Sequence, residues 1–172
     1  DKIVQYASEQ GVKITAALLT HGHIDHMGGA DALRNLTGAK VYALREEEDL
    51  LLDAKKNLSV FIERKVVTFE PDELLRDGQE LTLAGMKIQV IHTPGHTPGG
   101  CSYYVADAGC VFSGDTLFAE SVGRSDFPGG STSALVRAVK EKLFLLPDDT
   151  LVCPGHGEET TIGHEKKYNS FV

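Results

Sequence analysis

The sequence is short of cysteine, of positive charge and of long apolar runs, and each shortage closes off a class of protein. Cys101, Cys110 and Cys153 are odd in number and share no close spacing. They therefore do not make the disulfide framework of a small secreted domain, and read instead as reduced, buried thiols in a cytoplasmic protein. The 17 Lys and Arg against 25 Asp and Glu leave a net charge of −8, which argues against nucleic acid or an anionic membrane as the main partner, since both recruit clustered basic residues. No run approaches the roughly 20 apolar residues that span a bilayer. No basic stretch leads into an apolar one as in a signal peptide. Repeats and low-complexity linkers are absent too, so residues 1–172 read as one domain, whose 41% hydrophobic content can bury a core. The chain opens at Asp1, without Met and directly in helical pattern, which predicts a processed or N-terminally truncated product.

What is present is an alternation of short apolar strands and amphipathic helices. Ile3, Val4 and Ala7 share one helical face that stops at Gly11, and ITAALLT (14–20) reads as a buried strand. ADALRNLTG reads as a helix ended by Gly38, KVYAL as a strand, and REEEDLLLDAKKNL as a helix whose acidic run is a solvated face. From Val66 strands take over: VVTFE, then QELTLAGMKIQVIH as a hairpin turning near Gly85, then CSYYVA and GCVFSGD. TSALVRAVKEKLFLL is the strongest helix and is closed by Pro147; LVCPGHG is a last strand and loop, and a short helix around 164–168 follows.

Within this frame LLTHGHIDHMGG (18–29) crowds three histidines and one aspartate into six residues, straight after a strand. In extended chain, side chains at i, i+2 and i+4 share a side, so His21, His23 and Asp25 can converge, and His26 joins as the backbone turns. The same residue types recur at three more strand ends: His96 in HTPGHTPGG, Asp115 in VFSGDTLF and His156 in LVCPGHG. Alone, each is more often a hydrogen-bonded histidine or a turn aspartate; together, with Gly or Pro beside each, they read as ligands of one centre. Imidazole and carboxylate without thiolate point to a catalytic metal site rather than a closed structural one. His92 falls outside the pattern and reads as orienting the HTPGH turn, while His164 reads as a solvated residue of the polar tail.

In this order THGHIDH, HTPGH, GDTLF and PGHG resemble the metallo-β-lactamase superfamily. GRSDFPGGS (123–131) and the closing TTIGHEKKYNSFV resemble its glyoxalase II and persulfide dioxygenase branch, in the short form without a C-terminal helical domain. The resemblance implies an αββα sandwich with the metal site at the edge where two sheets meet. It assigns His21, His23 and His96 to one divalent ion, Asp25, His26 and His156 to a second, and Asp115 to a bridge between them. Zinc is the first expectation, with iron or manganese as alternatives. The family places several strands before the helix that opens this chain. Without them a sheet edge and an apolar face would be uncovered, which implies a truncated chain, another covering segment or a homo-oligomer.

The implied activity is hydrolysis of a small-molecule thioester, S-(2-hydroxyacyl)glutathione, by attack of a metal-bridging hydroxide, with Asp25 and Asp115 as the catalytic carboxylates. Two such ions can lower the pKa of a shared water to about 7, and a thiolate, whose conjugate acid has a pKa near 8.5, leaves without a general acid. Arg124 stands where glyoxalase II enzymes present a basic residue to glutathione; a structural pair with Asp126 is the alternative. Two other classes stay open: an Fe(II)-dependent glutathione persulfide dioxygenase using His21, His96 and Asp115, and a non-catalytic metal-binding fragment.

Overall fold

The apolar strands assemble into two sheets, and three separate apolar cores show how the layers stack. The structure, a computed structural model, describes residues 2–172; Asp1, where the expected domain opens, lies outside them. The elements run α1 (Lys2–Glu9), β1 (Ala16–Leu18), α2 (Ile24–Met27), α3 (Ala30–Thr37), β2 (Lys40–Leu44), α4 (Glu48–Leu51), α5 (Ser59–Ile62) and β3 (Glu73–Leu75). They continue with β4 (Glu80–Leu83), β5 (Met86–His92), β6 (Cys101–Val105), β7 (Cys110–Gly114), β8 (Leu117–Phe118), β9 (Ser121–Val122), α6 (Thr132–Glu141), β10 (Leu151–Pro154), β11 (Thr160–Thr161) and α7 (Ile162–Tyr168). A parallel sheet β1-β2-β3 faces a mixed sheet β11-β10-β7-β6-β5-β4, with β8-β9 as a small hairpin beside them. Leu19, Ile24, Met27, Val41 and Leu51 form a core between the first sheet and its helices. Leu44, Leu75, Ile88, Val90 and Tyr103 fill the space between the sheets. Ile91, Val111, Val139, Leu143, Val152 and Ile162 join the second sheet to α6 and α7. Helix, sheet, sheet, helix is the αββα sandwich that the motifs implied.

Local signals explain most boundaries. Gly38, at φ +72°, ends α3 with its N–H bonded to Arg34 O. Ser131 caps α6, and Leu135, Ala138 and Val139 form its buried stripe. Three expectations need correction. The strand expected over 66–70 is irregular, because its main chain bonds sideways: Val67 O accepts from Asn57 Nδ2 (2.8 Å) and Phe69 N–H donates to Leu51 O (3.1 Å). The long helix expected from Arg45 breaks after Leu51, where the Asp53 carboxylate accepts the Lys55 and Lys56 N–H groups and forms a turn of its own. The strand expected over 14–20 shrinks to β1 and is half-buried.

Half-burial of β1 has a visible cause. An open apolar cleft of about 640 Å³ runs between it and the second sheet, lined by Ile14, Ala16, Leu18, Met86, Ile88 and Phe112, among others. Cys110 and Cys153 also line it, so of the three free thiols Cys101 alone is fully buried; desolvation pushes its thiol up to about 12. Among the described residues no helix is long and apolar enough to cross a membrane.

Candidate metal centre

Strand direction brings the candidate ligands together. β5, β6 and β7 pair antiparallel in series and β10 runs parallel to β7, so β5, β7 and β10 all point the same way. Their C-terminal ends deliver His96, Asp115 and His156 to one edge of the second sheet. The first sheet meets that edge at Thr20, whose carbonyl accepts the Cys101 N–H (2.8 Å), so the His21–His26 loop leaves β1 directly above it. A register irregularity between Cys153 and Pro154 turns β10 out of the ladder just before His156.

All seven predicted ligands lie in one overlapping cluster. His21, His23 and His96 form one group, His21, His26 and Asp115 another, and Asp25, His26 and His156 a third, with ligand atoms inside each group within 4.8 Å of one another. Asp115 stands between the groups: its Oδ1 is 3.3 Å from His26 Nε2, while its Oδ2 lies 3.6 Å from His96 Nε2 and 3.7 Å from His156 Nε2. The first group is buried, whereas the side chains of Asp25 and His156 are 46% and 57% exposed. The cluster is thus closed at the bottom and open to solvent on the Asp25–His156 side.

The donor chemistry fits a metal. His21 Nε2, His23 Nε2 and Asp115 Oδ1 are buried and make no hydrogen bond, a costly arrangement unless something accepts their lone pairs. His96 Nδ1 lies 2.6 Å from Arg124 O; a carbonyl can only accept, so Nδ1 carries the proton and Nε2 is left as a ligand atom. Burial, reinforced by repulsion from the neighbouring imidazoles, pushes His21 well below the usual histidine value. Burial and His96 bring His23 to about 4, and burial also lowers His96. These three are therefore neutral at pH 7, as ligation requires. Burial alone would raise the Asp115 carboxyl, but the adjacent His26, with the His96 and His156 imidazoles beside it, outweighs burial and holds Asp115 below the ordinary range. For His26 the balance runs the other way: desolvation lowers it, yet Asp115 and Asp25 raise it overall.

Around the cluster, the other candidates find definite places. His92 Nε2 donates to Pro98 O at 2.9 Å, so it pins the HTPGH turn, as its position suggested. His164 is half-buried rather than free in solvent, because its Nε2 meets Glu120 Oε1 at 2.9 Å. The Arg124 guanidinium pairs with Asp126 through Nε (2.9 Å) and Nη2 (2.8 Å), leaving its Nη1 edge uncommitted. It also stacks 4.4 Å over the Phe127 ring. Phe127 in turn packs edge-on against His23 at 5.3 Å, forming a wall beside the buried ligands. Two neighbours escaped the sequence reading. Phe127 had a signal, an aromatic residue inside a glycine-rich polar loop; Glu47 had none, since it stands in the run REEE expected to face solvent, yet it is buried.

A two-sheet sandwich with a histidine–aspartate cluster at the sheet edge defines a class of metal-dependent hydrolase. The comparisons give that class its family: the model of the metallo-beta-lactamase superfamily matches residues 1–156, and the chain belongs to that superfamily. It is 42% identical to the probable metallo-hydrolase YqgX of Bacillus subtilis (strain 168) over 172 residues, covering 99% of this chain and 82% of the relative. It is 34% identical to the hydroxyacylglutathione hydrolase GloC of Haemophilus influenzae over 174 residues, covering 100% of this chain and 82% of that protein. Among solved structures, the BLEG-1 B3 metallo-beta-lactamase superposes with a TM-score of 0.93 at 38% identity, over 99% of this chain and 82% of its own. TTHA1623 in a di-iron-bound form superposes with a TM-score of 0.88 at 36% identity, over 99% and 84%.

Proposed function

We propose that the protein hydrolyses a thioester, S-(2-hydroxyacyl)glutathione first among candidates, to the 2-hydroxy acid and free glutathione, as a cytoplasmic enzyme with two divalent metal ions. The observation that carries this reading is the seven-donor cluster with its orphaned buried atoms on His21, His23 and Asp115. His21, His23 and His96 would hold one ion, Asp25, His26 and His156 the other, and Asp115 both. Ions in those positions supply a water acidified to a pKa of about 7 and an electrophilic contact for the carbonyl oxygen. Zinc suits the donor set; the di-iron form of the relative TTHA1623 makes iron the alternative.

The chain's own residues do the rest. The exposed Asp25–His156 side admits substrate, and Asp115 and Asp25 offset only part of the cationic charge, so a substrate made anionic by its glutathione carboxylates is still attracted. Phe127 excludes water from the buried side. The free Nη1 edge of Arg124 can take a glutathione carboxylate, although the side chain is 66% exposed and contributes little to affinity by charge alone. A departing thiolate needs no proton donor, its conjugate acid having a pKa near 8.5; a lactam nitrogen does. That difference, with the 34% identity to GloC, favours the thioester.

The test runs two assays on one metal-loaded sample. With S-lactoylglutathione the expected result is release of free thiol without oxygen uptake. Oxygen consumption with glutathione persulfide, and no thiol released from the thioester whether zinc or iron is loaded, would replace the hydrolase with a dioxygenase.

A further inference from the structure

Glu47 is a buried carboxylate that the reaction above does not use. It is 1% exposed, and among the described residues no Lys or Arg lies within salt-bridge distance of it. Its two oxygens divide their bonds instead: Oε1 accepts the Gly22 N–H and Oε2 the Gly99 N–H, each at 2.8 Å. Gly22 separates His21 from His23, and Gly99 stands three residues beyond His96. One side chain thus ties together the two loops that carry the buried ligands.

The segment around Glu47 is also the floor on which both loops rest. A Cβ on Gly22 would meet Leu51 Cδ2 at 2.7 Å and Leu50 Cδ2 at 2.9 Å, and one on Gly99 would strike the main chain of Glu46 and Glu47. Among the described residues, the one direct main-chain bond between these loops is Cys101 N–H to Thr20 O, just before His21 in one loop and five residues after His96 in the other. Past that point His23 Nδ1 and His96 Nε2, from opposite loops, face each other at 2.9 Å. Their separation depends on what holds Gly22 and Gly99 in place.

We propose that Glu47 is a positioning residue of the metal centre: its carboxylate clamps the two ligand loops at the spacing that lets His21, His23 and His96 share one ion. This rests on the two-metal reading given above. A carboxylate is suited to the task because both N–H groups need an acceptor, and each of its oxygens supplies one. A glutamine of the same shape accepts one N–H and sets its NH₂ against the other. Glu47→Gln therefore preserves volume and breaks the clamp. Changes to groups that orient metal ligands typically cost 10–100-fold in metal affinity.

The experiment titrates cobalt(II) into the metal-free protein and follows both affinity and the visible absorption of the bound ion. Three samples are compared: wild type, Glu47→Gln and Glu165→Gln. Glu165 is an equally buried carboxylate, at 1% exposure, that accepts from Glu120 N, Thr160 Oγ1 and Asn169 Nδ2, so it controls for the general cost of altering a buried acid. The expected result is a loss of about tenfold or more in cobalt affinity and an altered spectrum for Glu47→Gln, with wild-type affinity and spectrum for Glu165→Gln. If Glu47→Gln does not fold, Glu47→Asp keeps both oxygens on a shorter stem and should weaken cobalt binding in the same direction. A folded Glu47 variant with wild-type affinity and spectrum, or equal weakening by both substitutions, overturns the inference while the two-metal reading stands. Wild-type protein that takes up no cobalt overturns both.

Discussion

Acid should destabilise the metal-free protein through the imidazoles prepared for ligation, and His23 gives the size of the effect. Its pKa is 6.5 when exposed and about 4 in the fold. Between those values the unfolded chain binds a proton that the folded chain refuses, so stability falls as pH falls from 6.5 towards 4. Lowering the pH from 7 to 5 then costs about 2 kcal/mol through this one side chain, each pH unit inside the window being worth about 1.4 kcal/mol. His21 and His96, both lowered, add to the loss. His26, which is raised, opposes it. Urea unfolding of the metal-free protein at pH 7, 6 and 5 measures the sum, and His23→Gln isolates the worked part. The variant should lose about 2 kcal/mol less than wild type over that range. Parallel stability curves for the two proteins would refute the reasoning.

Other perturbations separate the ligands from their supports. Asp115→Ala should abolish turnover and lower metal uptake, whereas His92→Ala, which removes only the bond to Pro98 O, should retain metal while loosening the HTPGH turn; elemental analysis of both variants decides it. Gly155→Ala places a Cβ against Asp115 Oδ1 and 2.6 Å from His26 Cε1, so metal content should fall on the Asp25–His26–His156 side with little change in secondary structure by circular dichroism.

The layered fold was largely readable because strand and helix periods carry it. KVYAL became β2 residue for residue, and the hairpin turned at Gly85. The ligands were readable because four strand ends repeat one chemistry. What escaped were positions where a side chain bonds to distant main chain. Apolar VVTFE is no strand because Asn57, Ser59 and Leu51 take up its hydrogen bonds, and no periodicity reports such bonds. Glu47 looked like one member of an acidic surface, but a 3-10 turn at 45–47 rotates it inward towards glycines 25 and 52 residues away in sequence. Loop-to-loop bonds of that span leave no trace in local pattern.

The central claim is a two-ion centre built by His21, His23, Asp25, His26, His96, Asp115 and His156. Elemental analysis of the folded protein, after loading with excess zinc and iron and removal of free metal, measures it directly. The account predicts close to two transition-metal ions per chain, because seven ligands exceed the four that one zinc takes. A single ion per chain under both loading conditions would contradict it.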